Sequence, residues 1–392
     1  MKKTSGHDST FAYIGNWDVR KLSPRNGFGI CRFDVETGEL TLLKSVFPTI
    51  SVGAACLDSK RNVLYCTDEC TTLPGYFQGG GGQVYAFAID PETGDLTELN
   101  HQPSYGTLPS YVAVDATGNY LIITHHTDRV PITRVGKDAS GKYRIELEYD
   151  DATVVLFPLH EDGSIGHPCD VYKHSGDGGP LAKQTHPQLH SVMMSPSGKL
   201  FAVCDKGNDE VLLFQINRQA AKLELCGGKG FKTIPGGSPR YCVFHPTRPY
   251  LFVNHETKAV VSSFRYDQDG RLELICTVNA LPDDCADNMK MQQSDIRIHP
   301  SGKYLYNLIR GISAVSVFAI SEQTGDLEKT QTVTLDGTGP RGCAISPDGR
   351  FMLIAALTSH DVLVWEIGAD GKLSATSCKK ISQPNPGSVT FS

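Results

Sequence analysis

Gln83–Leu99 reads QVYAFAIDPETGDLTEL: an apolar strand, an acidic turn ending in Thr-Gly, then a second apolar pair. Apolar residues at alternate positions on both sides of a turn cluster signal a β-hairpin. The phrase returns at Gly29–Leu43, Ala152–Ile165, Glu210–Leu225, Ala259–Ile275, Ala314–Leu327 and Asp361–Leu373. Its starts fall roughly 50 to 70 residues apart, the period of a propeller or solenoid. No copy can bury its own apolar face, but stacked copies can.

A second hairpin phrase, with a Pro/Ser/Asp/Gly turn between two apolar strands, alternates with the first. It occurs at Pro109–Thr124, Leu189–Cys204, Pro239–Asn254, Ser294–Ile309 and Pro340–Ala355, and more weakly at Val52–Thr67. Together the phrases supply four strands per unit, A to D. The expected fold is all-β, a seven-bladed β-propeller with four antiparallel strands per blade. The ends of the chain complete the count. Pro386–Ser392 (PGSVTFS) is an A strand without a partner, and Thr10–Asn16 (TFAYIGN) is a B strand without one. The last blade is therefore expected to close by pairing the C-terminal strand with the N-terminal one, which removes an exposed sheet edge.

One domain over residues 1–392 is expected, because no linker separates the repeats. A net charge of −6 offers no basic field for nucleic acid. No apolar run is long enough to span a membrane, and Met1–Thr10 lacks the apolar core of a secretory signal. Most of the twelve cysteines fall inside predicted strands, where Cys behaves as a small hydrophobe. A cytoplasmic protein with reduced thiols is expected, monomeric or weakly homo-oligomeric.

Hairpin geometry places the start of strand A and the end of strand B on one face, opposite the A–B turn. That face collects ionisable residues. Starts of A carry His186, Gln188 and His190, then Arg240, Asp295, Arg297 and Arg341. Ends of B carry Asp68 and Glu69, His125 and His126, Asp205 and Lys206, His255 and Glu256, and Arg310. The long segments Thr127–Asp151 and His160–Thr185 read as insertions, the first a lid on this face. Arginine forks match carboxylate and phosphate oxygens, each charge-assisted bond contributing about 1.5–3 kcal/mol. The expected ligand is a small anion held by Arg240, Arg297, Arg310 and Arg341. Asp295, Asp205, His186, His255, Glu69 and His126 are expected beside it. The same charges would also suit an ion-pair network between blades. His190 and Glu256 are the candidates for proton transfer. A metal would need His125, His126, His186 and His190 to converge, and adjacent strand residues point to opposite faces, so neither metal nor cofactor is expected. His245 and His299 precede Pro in A–B turns and read as structural.

The turn at Asp90–Thr97, the HSV at His190–Val192, PRYCVFHP at Pro239–Pro246, SDIRIHPSGKYLY at Ser294–Tyr306, Arg310-Gly311 and GPRGCAISPDGRF at Gly339–Phe351 carry a resemblance. With them the chain, from Phe11 to Ser392, resembles the seven-bladed lactonase propellers. That family includes cycloisomerase-type 6-phosphogluconolactonases and carboxy-cis,cis-muconate cyclase. The resemblance implies catalytic positions at His190, Arg240, Glu256 and Arg310, and hydrolysis of an anionic sugar lactone in carbohydrate metabolism. Its alternatives are a lactonising cycloisomerase acting on a carboxymuconate-like diacid and a non-catalytic scaffold. The chain departs from the family's usual pattern at Gln188, His255 and Ile309 and at Thr124, His125 and His126.

Overall fold

The computed structural model describes residues 9–21, 27–282, 285 and 292–392. Seven antiparallel sheets stand around a central channel, each with strand order A-B-C-D from the axis outward. The A strands are Val52–Asp58, Pro109–Val114, Leu189–Met194, Pro239–Phe244, Gln293–Ile298, Pro340–Ile345 and Pro386–Phe391, for blades 1 to 7. Their B partners are Val63–Asp68, Tyr120–His125, Leu200–Asp205, Tyr250–His255, Tyr304–Ile309, Phe351–Ala356 and Ser9–Asn16. Blade 7 is thus built from both ends of the chain, with Tyr13 opposite Thr390 and Ile14 opposite Val389.

Two departures from the expected outline concern blade 2. Its D strand, Asp170–His174, lies inside the segment read as a second insertion. The reason is a wider C–D turn, bridged at Leu159 and Ile165, that interrupts the hairpin phrase. The B–C connection does hold an insertion: a separate two-stranded sheet, Ile132–Lys137 paired with Tyr143–Glu148. In blades 3 and 6, short strands at Phe231–Lys232 and Ile381–Ser382 extend the outer edge.

The Thr-Gly turn explains how blades stack. Asp34 and Asp90 accept two backbone N–H bonds each from the residues that follow, which sets the turn. Gly38 and Gly94 close it with φ of +75° and +73°. An added Cβ would stand 2.6 Å from Phe351 and 2.5 Å from Phe11, on the B strand of the preceding blade. The turn is both a chain reversal and a socket for the neighbouring aromatic ring. Between blades the fill is apolar, with Phe33 edge-on to Phe351 at 5.8 Å.

Candidate functional site

Every A strand carries a bulge at the same place. One extra residue separates the first A–B pair from the next, at Gly53, Ser110, His190, Arg240, Ser294, Arg341 and Gly387. A bulge re-aims a side chain that regular pleating would send into the sheet. His190, Arg240 and Arg341 line a cavity of about 900 Å³ at the channel mouth. The smaller Gly and Ser at the other bulges let neighbours approach. Ser110 donates to the His190 carbonyl at 2.8 Å, and Arg240 donates to the Ser294 carbonyl at 2.7 Å.

The second contribution comes from the residue directly after strand B. In all seven blades its N–H donates to a carbonyl just ahead of strand A, as in Lys206 to Gln188 and Glu256 to Ser238. These residues are Trp17, Glu69, His126, Lys206, Glu256, Arg310 and Leu357. The first six line the cavity. The last residue of each B strand is buried: Asn16, Asp68, His125, Asp205, His255, Ile309 and Ala356. Strand alternation sends one residue into the blade and the next to the pocket.

That one-residue difference corrects several expectations. Asp205 stays behind the wall, accepting from the backbone N–H of Gln188 and Gly207. His255 faces Ser262 at 2.9 Å inside blade 4. His186 bonds Thr127 at 2.7 Å and stacks on Tyr149. Asp295 and Arg297 pair at 3.0 Å further down strand A. Arg297 opens onto a second cavity of about 470 Å³ at the other end of the channel. Three residues of strand beyond the bulge carry it about 10 Å from the mouth. Departures from the family pattern at 255 and 309 therefore face the blade interior, whereas His126 faces the pocket. His245 and His299 take turn backbone or hydroxyl partners on the opposite face.

The cations at the mouth are organised by two carboxylates. Glu256 Oε2 lies 2.5 Å from Lys206 Nζ and 3.2 Å from Arg240 Nε, and its Oε1 lies 3.2 Å from Arg310. Burial pushes this carboxyl up, but Lys206, Arg310 and Arg240 override it and hold it well below the usual range. Glu69 accepts from Trp17 Nε1 at 2.7 Å and pairs with Arg341 at 3.3 Å, while Arg341 stacks over the Trp17 ring. Burial raises Glu69 and lowers Arg341, and it brings Arg310 down to about 10. Arg129, at the base of the inserted hairpin, reaches the rim with no ion-pair partner among the described residues.

The histidines of the pocket are neutral. Burial, then Arg240, Lys206, His126 and Arg341, hold His190 well below its ordinary value. Its Nδ1 is buried and finds no hydrogen-bond partner among the described residues. Its ring meets His126 edge-on at 5.5 Å and Tyr241 at 5.1 Å. His126 Nε2 accepts from Lys206 at 3.2 Å, which leaves the proton on Nδ1, facing the Thr127 carbonyl. Lys206 is lowered by burial to about 7, with Glu256 opposing the shift.

Trp17, Lys21 and Arg129 were not among the residues drawn from sequence, and Lys206 was placed on this face without a role. The signal for two of them was present: Lys206 and Trp17 each follow a B strand, as Glu256 does. The chain break in blade 7 hid Trp17. Lys21 lines the cavity and pairs with the buried Asp68 at 2.8 Å.

The family model described as Lactonase, 7-bladed beta-propeller, matches residues 12–391. A 6-phosphogluconolactonase of Bacillus subtilis is 28% identical over 80% of this chain and 81% of its own. One from Formosa agariphila is 26% identical over 92% and 94%. Among solved structures, a Bacteroides fragilis protein provisionally assigned as a 6-phosphogluconolactonase superposes with a TM-score of 0.81. It is 26% identical over 100% of both chains. The periplasmic gluconolactonase PpgL of Pseudomonas aeruginosa, 21% identical, shares the fold over 98% of this chain and 99% of its own, with a TM-score of 0.82.

Proposed function

The chain belongs to the seven-bladed lactonase β-propeller family, and from that membership and the charge of its pocket we propose that it hydrolyses a phosphorylated sugar lactone. The substrate for which its relatives are named, 6-phosphogluconolactone, is the first choice. The inner wall carries Lys206, Arg240, Arg310 and Arg341 against two carboxylates, Glu69 and Glu256. A dianionic phosphate would offset that excess.

The observation that carries the reading is His190: a neutral imidazole with an unpartnered buried nitrogen, set among those cations. In the proposed reaction His190 takes a proton from water as its oxygen bonds to the lactone carbonyl carbon. The carbonyl oxygen gains negative charge, and Arg240 or Arg310 supplies the compensating donor. As the ring C–O bond breaks, the imidazolium returns the proton to the departing alkoxide, leaving a hydroxyl and a carboxylic acid that loses its own proton to solvent. The phosphate's own charge raises the basicity of His190 once substrate is bound. Glu256, with both oxygens engaged, holds the cations in place rather than acting as base. The ring-closing alternative gains no support from the relatives described above.

Purified protein should accelerate loss of 6-phosphogluconolactone beyond the buffer rate and act much less on unphosphorylated gluconolactone. No acceleration of either would overturn the proposal. A reducing, cytoplasmic setting is supported by Cys31, Cys66, Cys204, Cys242 and Cys343, thiols buried within strands. No helix among the described residues is long and apolar enough to cross a membrane.

A further inference from the structure

Behind Lys206, at the seam of blades 2 and 3, lies a cluster that the proposed reaction does not use. We propose that His174, Asp205 and Glu210 bind a divalent first-row metal ion, Mn²⁺ or Zn²⁺, which pins the outer strand of blade 2 to blade 3. His174 ends strand D of blade 2, Asp205 ends strand B of blade 3, and Glu210 begins the next strand, Glu210–Asn217. Their ligand atoms all lie within 4.8 Å of one another.

The geometry suits an ion better than a proton. His174 Nε2 faces Glu210 Oε1 at 2.9 Å and Asp205 Oδ2 at 3.2 Å. A single N–H serves one of these acceptors well. Glu210 takes it, and Asp205 Oδ2 is left without a hydrogen bond on a fully buried residue. A third neighbour, Asn208 Nδ2 at 3.3 Å, is itself a donor, and its Oδ1 is occupied by the Gly178 N–H. A cation between the three ligand atoms would satisfy both carboxylates at once. With metal–ligand bonds of about 2.1 Å, ligand atoms on one coordination sphere stand roughly 3.0–3.4 Å apart; the 3.2 Å pair from Nε2 falls in that range and the 2.9 Å pair just below it.

The surroundings also fit. The other ring nitrogen, Nδ1, faces the Tyr172 hydroxyl at 3.4 Å, a polar group in the outer shell that can orient the ring. Asp205 Oδ1 is fixed by backbone N–H groups, so only Oδ2 is free to ligate. Lys232, which approaches Glu210 Oε2 at 3.5 Å, is largely exposed and can swing away. One imidazole and two carboxylates favour Zn²⁺ or Mn²⁺ over Ca²⁺, which prefers an all-oxygen shell.

The test uses the full chain purified without chelator, analysed for metal, then stripped with EDTA and titrated with MnCl₂ and ZnCl₂. Expected is close to one equivalent of one ion per chain, with an unfolding midpoint raised by a few degrees. In Glu210→Gln, a near-isosteric change, and in His174→Ala, affinity should fall at least tenfold. No binding to the stripped wild-type protein at millimolar metal overturns the proposal. So does binding that Glu210→Gln leaves unchanged, because the ion would then sit elsewhere. If His174→Ala does not fold, Glu210→Gln alone decides.

Discussion

Lys206 donates to a carboxylate and an imidazole at once, and its ammonium titrates near neutrality. Burial brings it to about 7, so it is charged below that pH and neutral above it. If it helps hold the phosphate, KM for the phosphorylated lactone should rise as pH passes above about 7. Lys206→Arg, whose charge does not titrate in that range, should flatten the rise; an unchanged profile in the variant would count against the role. His190 behaves in the opposite sense. Held well below 6.5, it stays a competent base in acid, so kcat/KM should remain level down through pH 6. His190→Ala should cost roughly 10²–10⁴ in kcat with KM little changed, as read from initial rates. Glu256→Gln removes the counter-charge shared by three cations, two of them buried. Loss of one partner of a buried pair costs roughly 3–5 kcal/mol. Chemical denaturation should report that loss, and inorganic phosphate should stabilise the variant more than the wild type.

At the scale of the strand and its turn, position relative to the bulge decides what a residue does. The bulged position and the one after strand B reach the pocket; their neighbours cap turns or pack inside the blade. Asp205 and Lys206 illustrate this, adjacent in sequence yet one behind the wall and one before it. The inserted hairpin follows different rules. Val135 and Ile145 are 76% and 74% exposed, and among the described residues the two strands pair only with each other. Replacing Ile132–Glu148 with a short Gly-Ser turn should therefore leave the melting temperature within a few degrees. Because Arg129 and Val130 line the mouth at its base, KM should rise severalfold. A collapse of the fold on excision would show that the hairpin packs on the blades after all.

For the molecule as a whole, stability rests on closing the ring. Strand Pro386–Phe391 fills the A position of blade 7 and touches the A strands of blades 6 and 1. Phe391 meets Phe33 at 5.2 Å, and the Gly387 carbonyl accepts from Arg341. Removing residues 386–392 would open an edge on Ser9–Asn16, unpack blade 7 and loosen one cation of the pocket. The truncated chain should elute as aggregate on size exclusion and lose its cooperative thermal transition. A soluble, cooperatively melting truncation would show that six blades suffice.

What could be read from the residues alone was what depends on local pattern. Alternating apolar positions, the Asp-x-x-Thr-Gly turns and the orphan strands at the two ends are short-range signals, and they determined blade number, strand number and closure. They also gathered His190, Arg240, Glu256 and Arg310 at one rim. Only the tertiary structure decided which of two adjacent residues faces the ligand, as between His255 and Glu256, and that Arg297 belongs to the far end of the channel. A bulge shifts alternation by one residue without altering the apolar pattern that announces a strand. The neutral imidazole of His190 and the lowered ammonium of Lys206 arise from charges on blades far apart in sequence, brought together by burial that no local stretch encodes.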